Sequence, residues 1–219
     1  MNIITKQLPE TSYFKTEHTK SKIVIHHTVG GSATSTIKYW EAQANNLSTP
    51  FIIERDGTIY KCFDPKYWAY HLGVSPKTCV FPKGVTVNKG ELDQASIGIE
   101  IASEGALTKK DGKYYTVMNT EYKAVPIILD KPWRDFQYFD FYDAPQLTAL
   151  YALITDLLKT FRTIRPVYLD SEETVSIDKL KTFSGILGHF HVRLDKTDPY
   201  KTFDWATLGK MTGTLGIKL

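Results

Sequence analysis

Short apolar runs that alternate with helix-like segments constrain the fold of this chain more than any other feature. The runs at 22–30 and 96–103 are rich in β-branched residues and are typical of strands. Two further strand-like runs flank Asp56-Gly57, a pair typical of a hairpin turn. Residues 144–161 carry apolar side chains at spacings of three and four, as in a helix with one buried face. We therefore expect an α/β fold around a central sheet.

Weaker signals assign the rest of the chain. Thr34 or Ser35 can begin a helix that runs through Asn46, and Asp143 with Gln146 resembles a capping box. The remaining segments are predicted as an irregular arm (1–20), a loop (65–95), a less patterned stretch (104–142), a charged connection with room for a short helix (162–184), a strand or strand end (185–192) and a short final helix (202–213). Within the stretch 104–142, the aromatic-rich residues 133–142 fit either a partly buried loop or a rim that faces substrate.

Length and composition predict one globular domain. A chain of 219 residues with 42% hydrophobic and 23% charged residues excludes a disordered chain and a disulfide mini-protein. No apolar run approaches the roughly 18 residues that a membrane span requires. The net charge of +3 is too small to indicate nucleic acid; it is compatible with an anionic polymer such as cell wall, although solubility explains it equally well.

Cysteine usage and the amino terminus bear on where the protein works. Cys62 and Cys79 form no Cys-x-x-Cys pair and are expected to be buried thiols, with a disulfide as the alternative. The first 20 residues are polar and lack the apolar stretch of a secretory signal. We expect synthesis in a cytoplasm, so an action on the wall would need separate release.

Histidines are the residues that most directly indicate chemistry. Four of the six lie in two short clusters, His26-His27 and His189-x-His191, each beside a predicted strand end. Two such ends can bring imidazoles together, and a carboxylate can complete a three-ligand catalytic zinc site with an open fourth position. Histidines alone are also common as ordinary core or surface residues. The chain has no Gly-x-Ser-x-Gly elbow, phosphate loop or His-Glu-x-x-His helix.

Five motifs occur in an order that resembles a known family. They are KIVIHHTVGG, FIIERDGTIY, AYHLG, SIGIEIA and GHFHVRLDKTDP with FDW downstream. The chain resembles the zinc-dependent N-acetylmuramoyl-L-alanine amidases of type 2, a superfamily that includes phage lysozyme-like amidases and peptidoglycan recognition proteins. The similarity covers about residues 22–102 and 143–208. It implies a single domain with a mixed central β-sheet flanked by helices on both sides.

The resemblance also implies roles for individual residues. His26, His189 and Asp198 match the family's zinc ligands, and this set leaves Zn²⁺ a Lewis acid. Glu100 matches the catalytic glutamate, which would move a proton from water to the leaving amine. Lys196, two residues before Asp198, is expected to stabilise the oxyanion.

Other residues near these motifs receive weaker assignments. His71 and Trp68, with Thr28 beside the first ligand, are expected on the substrate side. His27 should point to the opposite face from His26, because neighbours on a strand alternate. His191 stands where the family usually has an acidic residue, and it could orient His189 or act as another ligand. The tyrosine that some members carry before the Phe-Ile-Ile strand is replaced by Ser48-Thr49-Pro50.

The expected function is hydrolysis of the amide between N-acetylmuramic acid and L-alanine in peptidoglycan, as a phage endolysin. A cytoplasmic amidase that recycles muropeptides, a toxin delivered by dedicated machinery and a non-catalytic peptidoglycan-binding protein are the alternatives. A structural zinc site is disfavoured because it would need a fourth protein ligand. We expect residues 1–219 to form one monomeric catalytic domain, with a family-variable insertion at 103–142 and no separate wall-binding domain.

Overall fold

The structure, a computed structural model, describes all 219 residues as one α/β domain. Its strands are β1 (Ile3–Thr5), β2 (Lys22–His27), β3 (Phe51–Ile53), β4 (Ile59–Lys61), β5 (Ser96–Ile101), β6 (Ala106–Lys110), β7 (Lys113–Tyr115), β8 (Glu121–Tyr122), β9 (Ile127–Trp133), β10 (Phe136–Phe139), β11 (Val167–Leu169), β12 (Gly185–Gly188) and β13 (Leu215–Ile217). The helices are α1 (Ala33–Ala42), α2 (Glu91–Gln94), α3 (Ala144–Thr160), α4 (Ile177–Thr182) and α5 (Trp205–Thr212), with 3₁₀ turns at Glu10–Ser12 and His189–His191. No helix combines the length and apolar character that a membrane crossing requires.

Eight strands form the central sheet in the order β1-β4-β3-β5-β2-β12-β11-β13. All neighbours are parallel except β3 and β4, which form the hairpin predicted at Asp56-Gly57. The sheet is therefore mixed. β2, β5 and β12 lie at its centre, where every residue of β2 is buried. The sequences of the three central strands are largely apolar because both faces of the sheet are covered at these strands.

Alternate residues of the central strands contact different helices. Ile23 and Ile25 belong to a core that includes α3 and α5, whereas Val24 packs in a core with α4. On β3, Ile52 packs in a third core with α1. The predicted fold, a mixed sheet flanked by helices, is confirmed. The capping box of Asp143 and Gln146 is present at the start of α3, and both cysteines are free, buried thiols.

The stretch 104–142 differs most from expectation, because it forms a second sheet instead of loops. Five antiparallel strands pair in the order β8-β7-β6-β10-β9. The turn between β6 and β7 has positive φ at both Asp111 and Gly112, the geometry of a two-residue hairpin. Much of β6 and β9 is solvent-exposed. Such strands contain few buried apolar residues, so the sequence shows only a weak hydrophobic pattern there.

Smaller differences occur at the sheet edges. The arm contributes β1, which pairs with β4 at one edge. The charged connection contains β11 as well as α4, and β13 follows the final helix to form the other edge. β1, β11 and β13 have three residues each. They were not predicted because such short segments carry no measurable period.

Asp140 joins the second sheet to the central domain. Its buried carboxylate pairs with the guanidinium of Arg55, which comes from the β3–β4 hairpin. The same carboxylate accepts hydrogen bonds from Ser103 Oγ (3.2 Å), Glu104 N (2.7 Å) and Tyr122 Oη (2.6 Å). A buried charge with this many partners holds the insertion in a fixed position on the core.

We predict that Asp140→Ala lowers the free energy of unfolding by about 3–5 kcal/mol, the usual cost of breaking a buried ion pair by removing one partner. Chemical denaturation monitored by circular dichroism measures the change. Lys113→Ala is the matched control, since it removes an exposed ion pair with Glu121 in the same insertion and should leave the denaturation midpoint unchanged. Equal effects of the two substitutions would refute the anchoring role.

Candidate metal centre and active site

Three neighbouring parallel strands of the central sheet, β2, β5 and β12, bring the predicted site residues together at their carboxyl ends. β5 and β12 lie on either side of β2, and their register pairs His26 with Glu100 and Ile25 with Gly188. His189 follows directly after Gly188. In α/β folds, ligands bind at the carboxyl ends of parallel strands, and this site lies at such ends. Residues that are 163 positions apart in the sequence thus become neighbours.

Three side-chain atoms converge at these strand ends and could hold a metal ion. His26 Nδ1 lies 3.0 Å from His189 Nδ1 and 3.1 Å from Asp198 Oδ2, and His189 Nδ1 lies 2.9 Å from the same oxygen. All three residues are buried. Two nitrogens and one carboxylate oxygen are a donor set that Zn²⁺ accepts, with a fourth position left open.

The outer nitrogens of both histidines are held in place by hydrogen bonds. His189 Nε2 donates to the carbonyl of Leu72 at 3.0 Å, so its Nδ1 keeps a lone pair for the metal. His26 Nε2 lies 2.9 Å from His71 Nδ1. Burial, with His189 acting in the same direction, lowers the pKa of His26 to about 4, so this ring is neutral at pH 7. Oriented neutral imidazoles are what metal ligation requires, and the residues present therefore fit a zinc ion.

Asp198 carries the negative charge of the ligand set. Burial opposes its ionisation, but the adjacent imidazoles of His189 and His26 outweigh this effect and hold the pKa of Asp198 well below the usual range. The carboxylate is thus available to a cation at neutral pH. Lys196, which lines the same cleft, forms no ion pair with any carboxylate, so its ammonium is free to face a ligand.

Glu100 lies beside the ligand cluster and is incompletely paired. Its Oε2 is shielded from solvent and has no hydrogen-bond partner. Burial, reinforced by the charge of Asp198 and opposed by Lys196, raises the pKa of Glu100 to about 8. A carboxyl group whose pKa lies near neutrality can both accept and release a proton, as acid–base catalysis requires.

A cleft of about 590 Å³ opens over these groups. Thr28 and His71 line it together with the three ligands, Glu100 and Lys196, so the structure brings these predicted residues into one place. The floor is tightly packed behind them: a Cβ at Gly98 would lie 2.6 Å from Thr49 Cγ2 and 3.2 Å from His71 Nδ1. Glycine is therefore needed at this position of β5.

Three aromatic side chains named from the sequence lie outside the ligand cluster. Trp68, predicted on the substrate side, does not line this cleft. The ring stacks on Phe14 at 4.0 Å and its Nε1 donates to Thr16 Oγ1, so it anchors the amino-terminal arm. His27 points to the opposite face of β2, as expected, with Nδ1 3.1 Å from Tyr142 Oη. His191 contacts the backbone of Gly188 and Ser171 instead of His189.

Arg134 supports the site from outside the ligand cluster, and the sequence analysis did not identify it. It lies in the turn between β9 and β10, has a positive φ of 51° and forms no ion pair. Its guanidinium donates to the backbone carbonyls of Phe190, Arg193 and Lys196 and to Thr174 Oγ1. The three carbonyls belong to the segment that joins His189 to Asp198. One side chain of the insertion thus fixes the loop that carries the second and third ligands.

The chain is similar to one family of known sequence and to several solved structures. The family model described as N-acetylmuramoyl-L-alanine amidase matches residues 17–201, and a search of curated proteins finds no match. Among solved structures, the catalytic domain of XlyA has a TM-score of 0.55 at 17% identity, with 97% of this chain and 100% of that chain covered.

Two further solved structures have similar scores. The amidase AmiD from E. coli, in complex with anhydro-N-acetylmuramic acid-L-Ala-D-γ-Glu-L-Lys, has a TM-score of 0.56 at 18% identity, covering 93% of this chain and 61% of that chain. The amidase LysC from Clostridium intestinale URNW has a TM-score of 0.52 at 14% identity, covering 98% and 99%. At such low sequence identities, these matches show a similarity of fold alone.

We predict that Arg134→Ala weakens Zn²⁺ binding about 10- to 100-fold, the usual effect of losing a group that orients metal ligands. Competition with a chromophoric chelator measures the affinity. Arg134→Lys should recover part of the loss, because one ammonium can replace some of the carbonyl contacts. Arg162→Ala, at an exposed arginine after α3, is the control. Unchanged affinity in Arg134→Ala would show that the ligand loop is held without this residue.

Proposed function

This chain belongs to the N-acetylmuramoyl-L-alanine amidase family, and we propose that it hydrolyses the amide between N-acetylmuramic acid and L-alanine in peptidoglycan, with Zn²⁺ on His26, His189 and Asp198. Family membership places it among amidases by class. The metal, the substrate bond and the residue roles are our proposal. We also propose that the 219 residues act as one catalytic domain, with 103–142 as an insertion.

One observation supports this proposal more than any other. The three candidate ligand atoms meet within 3.1 Å of one another, and Glu100, whose Oε2 has no hydrogen-bond partner, lines the same cleft. A metal site with a single adjacent, proton-exchanging carboxyl group is the arrangement that metal-assisted amide hydrolysis requires. A purely binding protein has no need for a buried, unpaired carboxylate, which costs stability.

The chain's own residues account for binding and proton transfer. When bound, Zn²⁺ supplies a Lewis acid that polarises the amide carbonyl and promotes ionisation of water. Glu100 takes the proton of the attacking water on its carboxyl group and delivers it to the leaving nitrogen of L-alanine, because the amine leaves only when protonated. Lys196 places its unpaired ammonium near the carbonyl oxygen, where negative charge develops.

Thr28 and His71 complete the cleft around these groups. Thr28 Oγ1 donates to the carbonyls of Gly30 and Ser103, which fixes the loop after β2. His71 contacts His26 through Nδ1 and leaves Nε2 without a partner. We propose that the His71 ring lies on the substrate side of the cleft and keeps His26 in the ligating tautomer. Ser48 and Thr49 line the cleft where some relatives carry a tyrosine, so Glu100 acts without one.

For the biological setting we propose a phage endolysin. The similar structures include an endolysin from Bacillus subtilis, with a TM-score of 0.53 at 19% identity. A muropeptide-recycling amidase is the second candidate, because the same site chemistry would serve it and the AmiD structure contains a soluble muropeptide. Clearing of intact sacculi supports the first setting, whereas activity limited to soluble muropeptides supports the second.

We predict that wild-type protein loaded with Zn²⁺ clears purified sacculi and releases new amino-terminal alanine. Glu100→Gln should reduce this rate by about 10²- to 10⁴-fold, the usual contribution of a general acid–base group. Turbidity measures the loss of intact sacculi, and end-group labelling measures the amino groups of L-alanine that the cleavage releases. Clearing without new amino-terminal alanine would indicate a different scissile bond. Binding of sacculi with zinc bound but no cleavage would replace the enzyme with a binding protein.

Metal binding is predicted to stabilise the folded chain independently of catalysis. Free Zn²⁺ at 100 times the dissociation constant should add about 2.7 kcal/mol to the free energy of unfolding, which differential scanning calorimetry detects as a higher melting temperature. Asp198→Ala should abolish this increase, whereas Glu100→Gln should keep it, since Glu100 is not a ligand. If zinc raised the melting temperature of Asp198→Ala as much as that of wild type, the proposed ligand set would be incorrect.

A further inference from the structure

The mouth of the catalytic cleft is apolar, although its floor is polar. Four large apolar side chains line it while remaining exposed to solvent: Val29 (39% exposed), Tyr39 (53%), Leu47 (37%) and Met118 (76%). They come from four separate segments, the loop after β2, helix α1, the loop after α1 and the turn between β7 and β8. Exposed apolar groups gathered at a cleft indicate a binding surface, whereas scattered ones do not.

The backbone at Val29 is strained in a way that favours this interpretation. Val29 has a φ of 52°, a conformation that a β-branched residue rarely adopts because its Cβ clashes with the backbone. The flanking Thr28 holds it there through hydrogen bonds to Gly30 and Ser103. Strain that the surrounding structure maintains is typical of ligand-contacting positions.

The charges and hydroxyls of the lining distinguish between possible occupants. Glu100, Lys196 and Asp198 belong to the chemistry on the floor, and every other lining residue is an uncharged side chain or a histidine. On α1, the hydroxyls of Ser35 and Thr36 lie on the same helical face as Tyr39, at spacings of four and three. A sugar ring presents an apolar C–H face and hydroxyl edges without charge. A peptidoglycan stem peptide carries several charges, which this rim does not complement.

Met118 is supplied by the insertion and is positioned by a short turn. Thr116 and Thr120 close this turn with a backbone hydrogen bond of 2.9 Å, and Asn119 N donates to Thr116 O at the same distance. The side chain is not part of any core cluster. A flexible thioether exposed at a binding cleft can adapt to an irregular apolar surface.

We propose that the cleft mouth binds the saccharide rings of the glycan strand, with Tyr39 and Met118 against their apolar faces and Ser35 and Thr36 at their hydroxyl edges. This inference rests on the proposed function, since it assigns the part of peptidoglycan that lies outside the scissile amide. The second sheet thereby makes the enzyme selective for polymeric over fragmented substrate.

Two soluble substrates with the same stem peptide, one on a single N-acetylmuramic acid and one on a tetrasaccharide, test the proposal. Met118→Asp and Tyr39→Ala should each lower kcat/KM on the tetrasaccharide about tenfold, mainly through a higher KM, as expected when contacts made equally in the ground and transition states are lost. The loss on the monosaccharide should be clearly smaller. Val125→Asp is the matched control, since Val125 is 84% exposed in the same insertion and does not line the cleft.

Binding of a peptide-free glycan tetrasaccharide to the Glu100→Gln protein gives a readout that does not depend on cleavage. Titration calorimetry should show weaker binding when Met118→Asp or Tyr39→Ala is added. Equal affinity in all variants, or equal losses on both cleavable substrates, would overturn the saccharide assignment. If wild type cleaves neither substrate, the proposed function fails, and the glycan titration still decides this inference.

Discussion

The parallel pairing of β2 with β5 on one side and β12 on the other is the constraint on which the site depends. The register places His26 beside Glu100 and ends β12 one residue before His189. Because the side chains of a strand alternate between faces, a slip of one residue would exchange His26 with His27 and turn the ligand into the core. Both faces of these strands are packed with apolar side chains, which makes such a slip costly. The hydrophobic core therefore determines the arrangement of the candidate ligands as well as the stability.

The same packing explains why the site suits a cation. Three imidazoles and two carboxyl groups are gathered under a cleft where little water reaches them. Two ligand nitrogens that face each other across 3.0 Å cannot both keep their lone pairs unshared without cost. A divalent ion at the proposed site would resolve this conflict and would also offset the charge of Asp198. Glu100 stays outside the ligand set, and its unpaired oxygen keeps the proton affinity that a shuttle needs.

Sequence reasoning predicted those parts of the protein that local pattern encodes. The buried strands, the amphipathic helix α3 and its capping box follow from spacing and residue type, and the order of five motifs indicated the family and the candidate ligands. It did not reach features that tertiary contacts decide, such as the stacking of Trp68 on Phe14. Arg134 had no sequence signal, because its partners are backbone carbonyls more than 50 residues away.

The second sheet is the largest feature that the sequence did not predict, and it is more than a surface decoration. One of its turns supplies Arg134 to the loop between two candidate ligands, and another supplies Met118 to the cleft mouth. Both turns belong to a sheet that is attached to the core through the pairing of Asp140 with Arg55. The position of the loop between the candidate ligands and the shape of the mouth therefore depend on the same anchor. Variation in the insertion can therefore change substrate selection without altering any residue of the metal centre.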